Sequence, residues 1–287
     1  MPYAETEEGT IHYDVIDCAA PWVERPETII FHHGIGGSAG MWADWLPHLI
    51  DCYRIVRFDM RGYGRSHRPG PAFKWSLDLF SRDILAIANA IEVERPHVLG
   101  ESIGGTIALN YALQNSTRIA TLTMSNAAHV GTSIQRVHAW KKTFDEQGVK
   151  GWSDIFMRDR FHDGALDPAR WAWFARMQEA WTPEPVLNAL GVLVGTDLRL
   201  EMSKLACPLL ILHPDGSPFI PVDTIVDLHQ RVPGAWFNVI GHAKHGMPFS
   251  HARECAMKLR AFLDAKGHGG MAVVPDIDPG STRKFER

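Results

Sequence analysis

The stretch Leu99–Leu113, LGESIGGTIALNYAL, places a single hydroxyl, Ser102, between two short glycine stretches where an apolar run gives way to a helical one. "HVLG", residues 97–100, reads as the end of a buried strand and "GGTIALNYAL" as the start of a helix, so Ser102 stands at the corner. In Gly100-Glu101-Ser102-Ile103-Gly104 the glycines let strand and helix approach closely, while a strained turn lifts the hydroxyl above the sheet. A serine so placed is a candidate nucleophile. Acyl transfer from it requires donors for the developing oxyanion, a base for its proton and a group that orients the base.

Two further stretches supply candidates. "FHHGIGGS", residues 31–38, ends an apolar run in glycines that leave backbone N–H groups free to face an anion. The expected oxyanion donors are the N–H of Ile35, in the turn after His33-Gly34, and that of Ile103, at the positive end of the helix after the serine. "VIGHAKHGMPFSHA" places His242 and His245 just past the last apolar strand. His245 is the preferred base, because the loop from Ile240 gives its imidazole room to bend back over the serine.

The elements that must hold these residues alternate. "GTIHYDVI" (9–16) reads as an edge strand, followed by the short apolar strands 28–33, 54–59, 97–100, 119–126, 208–213 and 236–240. Amphipathic helices separate most of them; in "SLDLFSRDILAIANAIEV" Leu77, Phe80, Ile84, Ile87, Ala88 and Ile91 recur at helical spacing. Alternation of this kind predicts an α/β fold, a mostly parallel central sheet with helices on both faces and its ligand site at the carboxyl ends of the strands. Between 127 and 205 the pattern changes to successive helices, which predicts an inserted helical cap on a core of residues 1–126 and 206–265. The glycine- and proline-rich segment 266–287 has no period and is expected to be a mobile tail.

Composition narrows the function. The net charge of −4 comes from interspersed acids and bases, unlike the basic footprint of a nucleic-acid binder. The four cysteines form no CxxC pair, and "MPYAETEEG" lacks the charged start and apolar run of a signal peptide, so a cytoplasmic chain with free thiols is expected. Apolar runs are strand-sized, shorter than the roughly 18 residues a membrane helix needs. The expected partner is a small molecule, with no nucleic acid, membrane, metal or cofactor; homodimer formation is compatible with these features.

The order of motifs (strand-HGxGG, "DMRGYGRS" at 59–66, the serine elbow, a helical insertion and a late histidine) resembles the α/β-hydrolase superfamily over roughly residues 9–265. Within it, "SNAAHVGTSIQRVHAWKKTFDEQG" looks like the segment that opens the cap of 3-oxoadipate enol-lactonases and their relatives. The resemblance implies a serine hydrolase acting on a carboxylic ester or lactone through an acyl-enzyme, or, with the same three residues, a carbon–carbon hydrolase of a ring-cleavage diketone. A ligand-binding member with weak or no turnover is the rival from another class.

One departure from the family pattern matters. The orienting acid is expected after the penultimate strand in a pattern like D-P-x-x-P, yet this chain reads "LHPDGSPFIP", with Ser217 at that place and Asp215 two residues earlier. A serine cannot stabilise an imidazolium as a carboxylate does. Asp215 is therefore the expected third member, reaching the histidine through a modest slip of an extended segment. The other common location, after the strand that follows the nucleophile, holds Ser125 and Asn126 and offers no acid. Asp59 and Arg61, in the "DMRGYGRS" element, are expected to brace loops rather than react.

The predicted cap holds five tryptophans, Trp140, Trp152, Trp171, Trp173 and Trp181. A cap of this size does not bury so many indoles without turning some to the cleft, although packing on the core is the plainer role for any one of them. Trp140, Trp173 and Trp181 are the expected substrate contacts. Arg136, Arg158, Arg160 and Arg176 are candidates for recognising a carboxylate, against a plainer role as solvated charges.

Overall fold

The structure, a computed structural model, describes residues 2–266 and 268; most of the expected tail lies outside them. Eight strands form one sheet in the order β1-β2-β4-β3-β5-β6-β7-β8. They are β1 (Tyr3–Thr6), β2 (Gly9–Ile16), β3 (Glu27–His32), β4 (Tyr53–Phe58), β5 (His97–Glu101), β6 (Thr121–Ser125), β7 (Leu209–Pro214) and β8 (Trp236–Ile240). β2 pairs antiparallel with both β1 and β4, and every other pairing is parallel. Residues 9–16 are thus one place in from the edge; the four-residue β1 outside them is too short to register as a sequence pattern.

Side chains alternate across the sheet as strand geometry requires. Ile29 and Phe31 of β3, with Leu210 and Leu212 of β7, enter a core with Trp42, Trp45 and the last helix, α8 (Ala252–Ala265). Ile30, with Leu209 and Ile211, enters the opposite core with α1 (Leu77–Ala90) and α2 (Ile103–Gln114). α1 buries Phe80, Ile84, Ile87 and Ala88, and the hydroxyl of Ser76 caps it by accepting from the Leu79 N–H at 3.1 Å. α2 is buried on every side from Ile103 to Leu113. Its first turn lies so close to the sheet that a Cβ at Gly104 would sit 2.6 Å from the His32 carbonyl oxygen.

Between β6 and β7 lie α3 (Trp140–Arg160), α4 (Pro168–Glu179) and α5 (Pro183–Val194). The first of these, α3, is broken at Gly148, whose φ of 68° only glycine adopts freely. The insertion has its own aromatic core, in which Phe144 stacks on Trp152 at 5.0 Å and Trp140 meets Phe156 edge-on at 4.8 Å. After β7, α6 (Val222–Arg231) leads into β8, and a short α7 (Met247–Ser250) precedes α8.

The bracing read into "DMRGYGRS" is visible. Asp59 accepts from the Ala39 N–H at 3.0 Å and the Arg65 N–H at 3.2 Å. Arg61 is fully buried against Asp83, with Nη2 to Oδ1 at 2.5 Å and Nε to Oδ2 at 3.1 Å, and it also donates to the Glu8 carbonyl and the Thr6 hydroxyl. Burial raises the Asp83 carboxyl to about 6, against the pull of Arg61. Arg61→Met should therefore cost about 3–5 kcal/mol, because it strands a buried carboxylate. The loss, read from urea unfolding, should be smaller at pH 5 than at pH 8, since the orphaned carboxyl takes up a proton in acid.

Candidate active site

The parallel register brings the ends of four strands level: His32 lies beside Gly100, Glu101 beside Ser125, and Ser125 beside Leu212. Ser102 follows β5 directly, with φ 55° and ψ −127°, a conformation that costs a non-glycine residue about 1–3 kcal/mol. Its surroundings hold it there. The Ser102 N–H donates to the Ser125 carbonyl at 3.0 Å, and its own carbonyl accepts from Gly105 and Thr106 at 2.9 and 3.2 Å.

His245, in the loop after β8, places Nε2 3.1 Å from Ser102 Oγ. The ring is buried, with Phe219 edge-on at 4.7 Å. Burial drives its pKa well below 6.5, and the nearby charges of Arg160 and His213 push the same way, so it is neutral at pH 7. His242 lies on an exposed turn at φ 58°, its ring stacked on His162 at 5.1 Å. Ile35 borders the site from the loop after β3, and the Ile103 N–H belongs to the first turn of α2, where no intrahelical acceptor exists.

Asp215 does not reach the imidazole. Its exposed carboxylate accepts from the backbone N–H groups of His242 at 2.7 Å and Ala243 at 3.0 Å, and those bonds lower its pKa. The chain turns immediately after Pro214 instead of continuing extended, so the two-residue spacing from Ser217 does not aim both side chains alike. The expectation for Asp215 is corrected accordingly: it braces the loop that carries His245.

The residue beside the far nitrogen of the imidazole is Asn126. It follows β6 at φ 47°, which asparagine tolerates better than most residues. Its Nδ2 stands 2.6 Å from His245 Nδ1 and donates to the His245 carbonyl oxygen at 3.0 Å. Its Oδ1 accepts from Ser217 Oγ at 3.2 Å, and that hydroxyl also accepts from the Ile220 N–H at 3.2 Å. The place set aside for want of an acid is occupied by an amide.

Sequence reading also missed a buried ion pair at the elbow. Glu101, fully buried, has Oε1 3.5 Å from Arg160 Nη1 and 3.7 Å from His245 Nε2. Arg160, at the end of α3, also donates from Nη2 to the Ile35 carbonyl at 2.5 Å, tying the insertion to the loop after β3. Burial raises the Glu101 carboxyl, and Arg160 draws it back. The signal for Glu101 was its place between a strand-end glycine and the serine.

A narrow cavity opens over Ser102, Ile35 and His245. Trp140, Phe156, Leu190 and Leu193 of the insertion wall it, together with Phe219 from the loop after β7. Trp173 and Trp181 are not in the lining. Trp173 stacks on Phe249 at 5.5 Å and is about one-third exposed, whereas Trp181 packs on Tyr63 at 5.2 Å. Each indole found an aromatic partner away from the cleft, so the expectation that they contact substrate is corrected, and Trp140 is the tryptophan at the cavity.

The sheet order, the serine corner and the late histidine define an α/β-hydrolase fold, and residues 27–165 match the family model described as alpha/beta hydrolase fold. The chain resembles that superfamily and has its fold. It is 25% identical to a Caulobacter segnis protein that bears the name of a carbamate hydrolase, over 83% of this chain and 91% of that one. It is 26% identical to a 2-hydroxymuconate semialdehyde hydrolase of Pseudomonas sp., over 80% of this chain and 84% of that one. The crystal structure of an enol-lactonase from Burkholderia xenovorans superposes with a TM-score of 0.82 at 21% identity, covering 92% of this chain and all of that one. Among the described residues, no helix is long and apolar enough to cross a membrane.

Proposed function

We propose that this chain hydrolyses carboxylic esters or lactones through an acyl-enzyme on Ser102. The observation that carries the reading is the 3.1 Å contact between Ser102 Oγ and His245 Nε2 at the floor of an apolar cavity. Ser102 Oγ attacks the carbonyl carbon as His245 takes the hydroxyl proton; the N–H groups of Ile35 and Ile103 hold the oxyanion. Collapse breaks the bond to the alcohol oxygen, which leaves with the proton from His245. Water then attacks the acyl-enzyme with His245 again as base, releasing the acid and restoring Ser102. In this reading α3–α5 act as a cap, Asn126 orients the imidazole, and no metal or cofactor enters.

The names of its relatives span a carbamate, an enol-lactone and a 2-hydroxymuconate semialdehyde as substrates, and they do not choose among these. The apolar walls favour a compact apolar acyl group. With p-nitrophenyl esters, kcat/KM should rise about fourfold for each methylene added, from the roughly 0.8 kcal/mol that burying one contributes, until the cavity is filled. A preference for acetyl esters alone, or no dependence on chain length, would count against it. Turnover of a ring-cleavage diketone without any ester turnover would replace it with carbon–carbon hydrolysis. The amide beside His245 Nδ1 favours a second reading, a ligand-binding protein with weak turnover; absence of turnover on every substrate in that series would select it.

A further inference from the structure

Taking the ester or lactone reading as given, we infer that the group bound in the cavity carries no charge, because Glu101 and Phe156 remove Arg160 from substrate recognition. Arg160 is the one buried cation beside the site among the described residues, and its position at the end of α3 would suit it to hold a carboxylate. Its guanidinium is committed elsewhere. One nitrogen faces Glu101 at 3.5 Å and another donates to the Ile35 carbonyl at 2.5 Å, leaving only Nε without a bond. The guanidinium carbon lies 4.2 Å over the Phe156 ring and 5.2 Å from the centre of the Phe174 ring.

Phe156 faces both ways. It lines the cavity, whereas Arg160, one turn further along the same helix, does not, so the ring stands between the cation and the ligand space. The other arginines considered from the sequence are also absent from the lining, and Arg136 is exposed and paired with Asp159 at 2.9 Å. Every lining side chain except Ser102 and His245 is apolar. A carboxylate entering this space would lose its hydration with no cation to replace it, and would also meet the field of Glu101.

A matched pair of substrates tests this. p-Nitrophenyl pentanoate should be favoured over p-nitrophenyl hydrogen succinate, of similar length but anionic, by at least about 100-fold in kcat/KM. Glu101→Gln leaves the charge of Arg160 unopposed and should narrow that ratio by about tenfold or more, chiefly through the KM of the succinate ester. Adding Arg160→Met to Glu101→Gln should restore the original preference, which a merely disturbed fold would not do; both variants are checked for cooperative thermal unfolding. Equal rates on the two esters, or a preference for the anionic one, overturns the inference. Should neither ester be hydrolysed, the ester or lactone reading falls by itself. Tryptophan fluorescence, with Trp140 in the cavity wall, then compares binding of pentanamide and of anionic succinamate, and tighter binding of succinamate overturns the inference independently.

Discussion

Ser102→Ala is expected to lower ester turnover by at least about 100-fold, with residual rate coming from the oxyanion donors and from binding. The magnitude follows from geometry: Ser102 Oγ is the hydroxyl that meets His245 Nε2, and alanine leaves the imidazole facing a methyl group. The fold should survive. The backbone at Ser102 is held by the Ser125 carbonyl and by the first turn of α2, and none of those bonds uses the hydroxyl. Turnover of p-nitrophenyl butyrate and the thermal unfolding midpoint, measured on the same preparation, separate the two effects. A variant retaining near wild-type activity on every ester that the parent hydrolyses would remove Ser102 as nucleophile.

Much of this arrangement could be read from sequence because it depends on local pattern. The apolar runs that end in "FHHG" and "HVLG" place β3 and β5, and the glycines around Ser102 announce a close approach of strand and helix, seen where α2 meets the His32 carbonyl. What escaped depends on contacts across long stretches of chain. Asn126 and His245 are 119 positions apart, and Glu101 and Arg160 are 59 apart. No periodicity encodes such pairs. The chemistry of Asp215 suits it to orient an imidazole, but two backbone N–H groups in the loop after β8 hold its carboxylate, a bond that outcompetes the imidazole. The size of Trp173 and Trp181 suits them to a cleft wall, and it suits them equally to Phe249 and Tyr63.

The second large effect concerns the missing carboxylate. Ser217→Asp should raise turnover, by as much as about 10⁴-fold, the factor lost elsewhere when an orienting aspartate is replaced by an amide. In the present arrangement Ser217 donates to Asn126 Oδ1, which turns Nδ2 toward His245, where it donates to the carbonyl oxygen and stands 2.6 Å from Nδ1. An amide N–H facing Nδ1 disfavours a proton there, so the tautomer whose Nε2 accepts from Ser102 is the less populated one and turnover through it is slowed. A carboxylate at 217 would accept from the amide, favour a proton on Nδ1 and supply negative charge beside the imidazolium. The same charge should raise the His245 pKa from its burial-depressed value. Since the base works only when neutral, the acid limb of kcat/KM should move to higher pH as turnover rises. His242 and Ala243 donate to different oxygens of Asp215, so Asp215→Asn keeps an acceptor for one of them and loosens the loop without touching the imidazole; it should change turnover by less than about tenfold. Kinetics of both variants from pH 4 to 9 decide the matter: a 10⁴-fold fall in Asp215→Asn, with Ser217→Asp unchanged in rate and pH profile, would return the orienting role to Asp215.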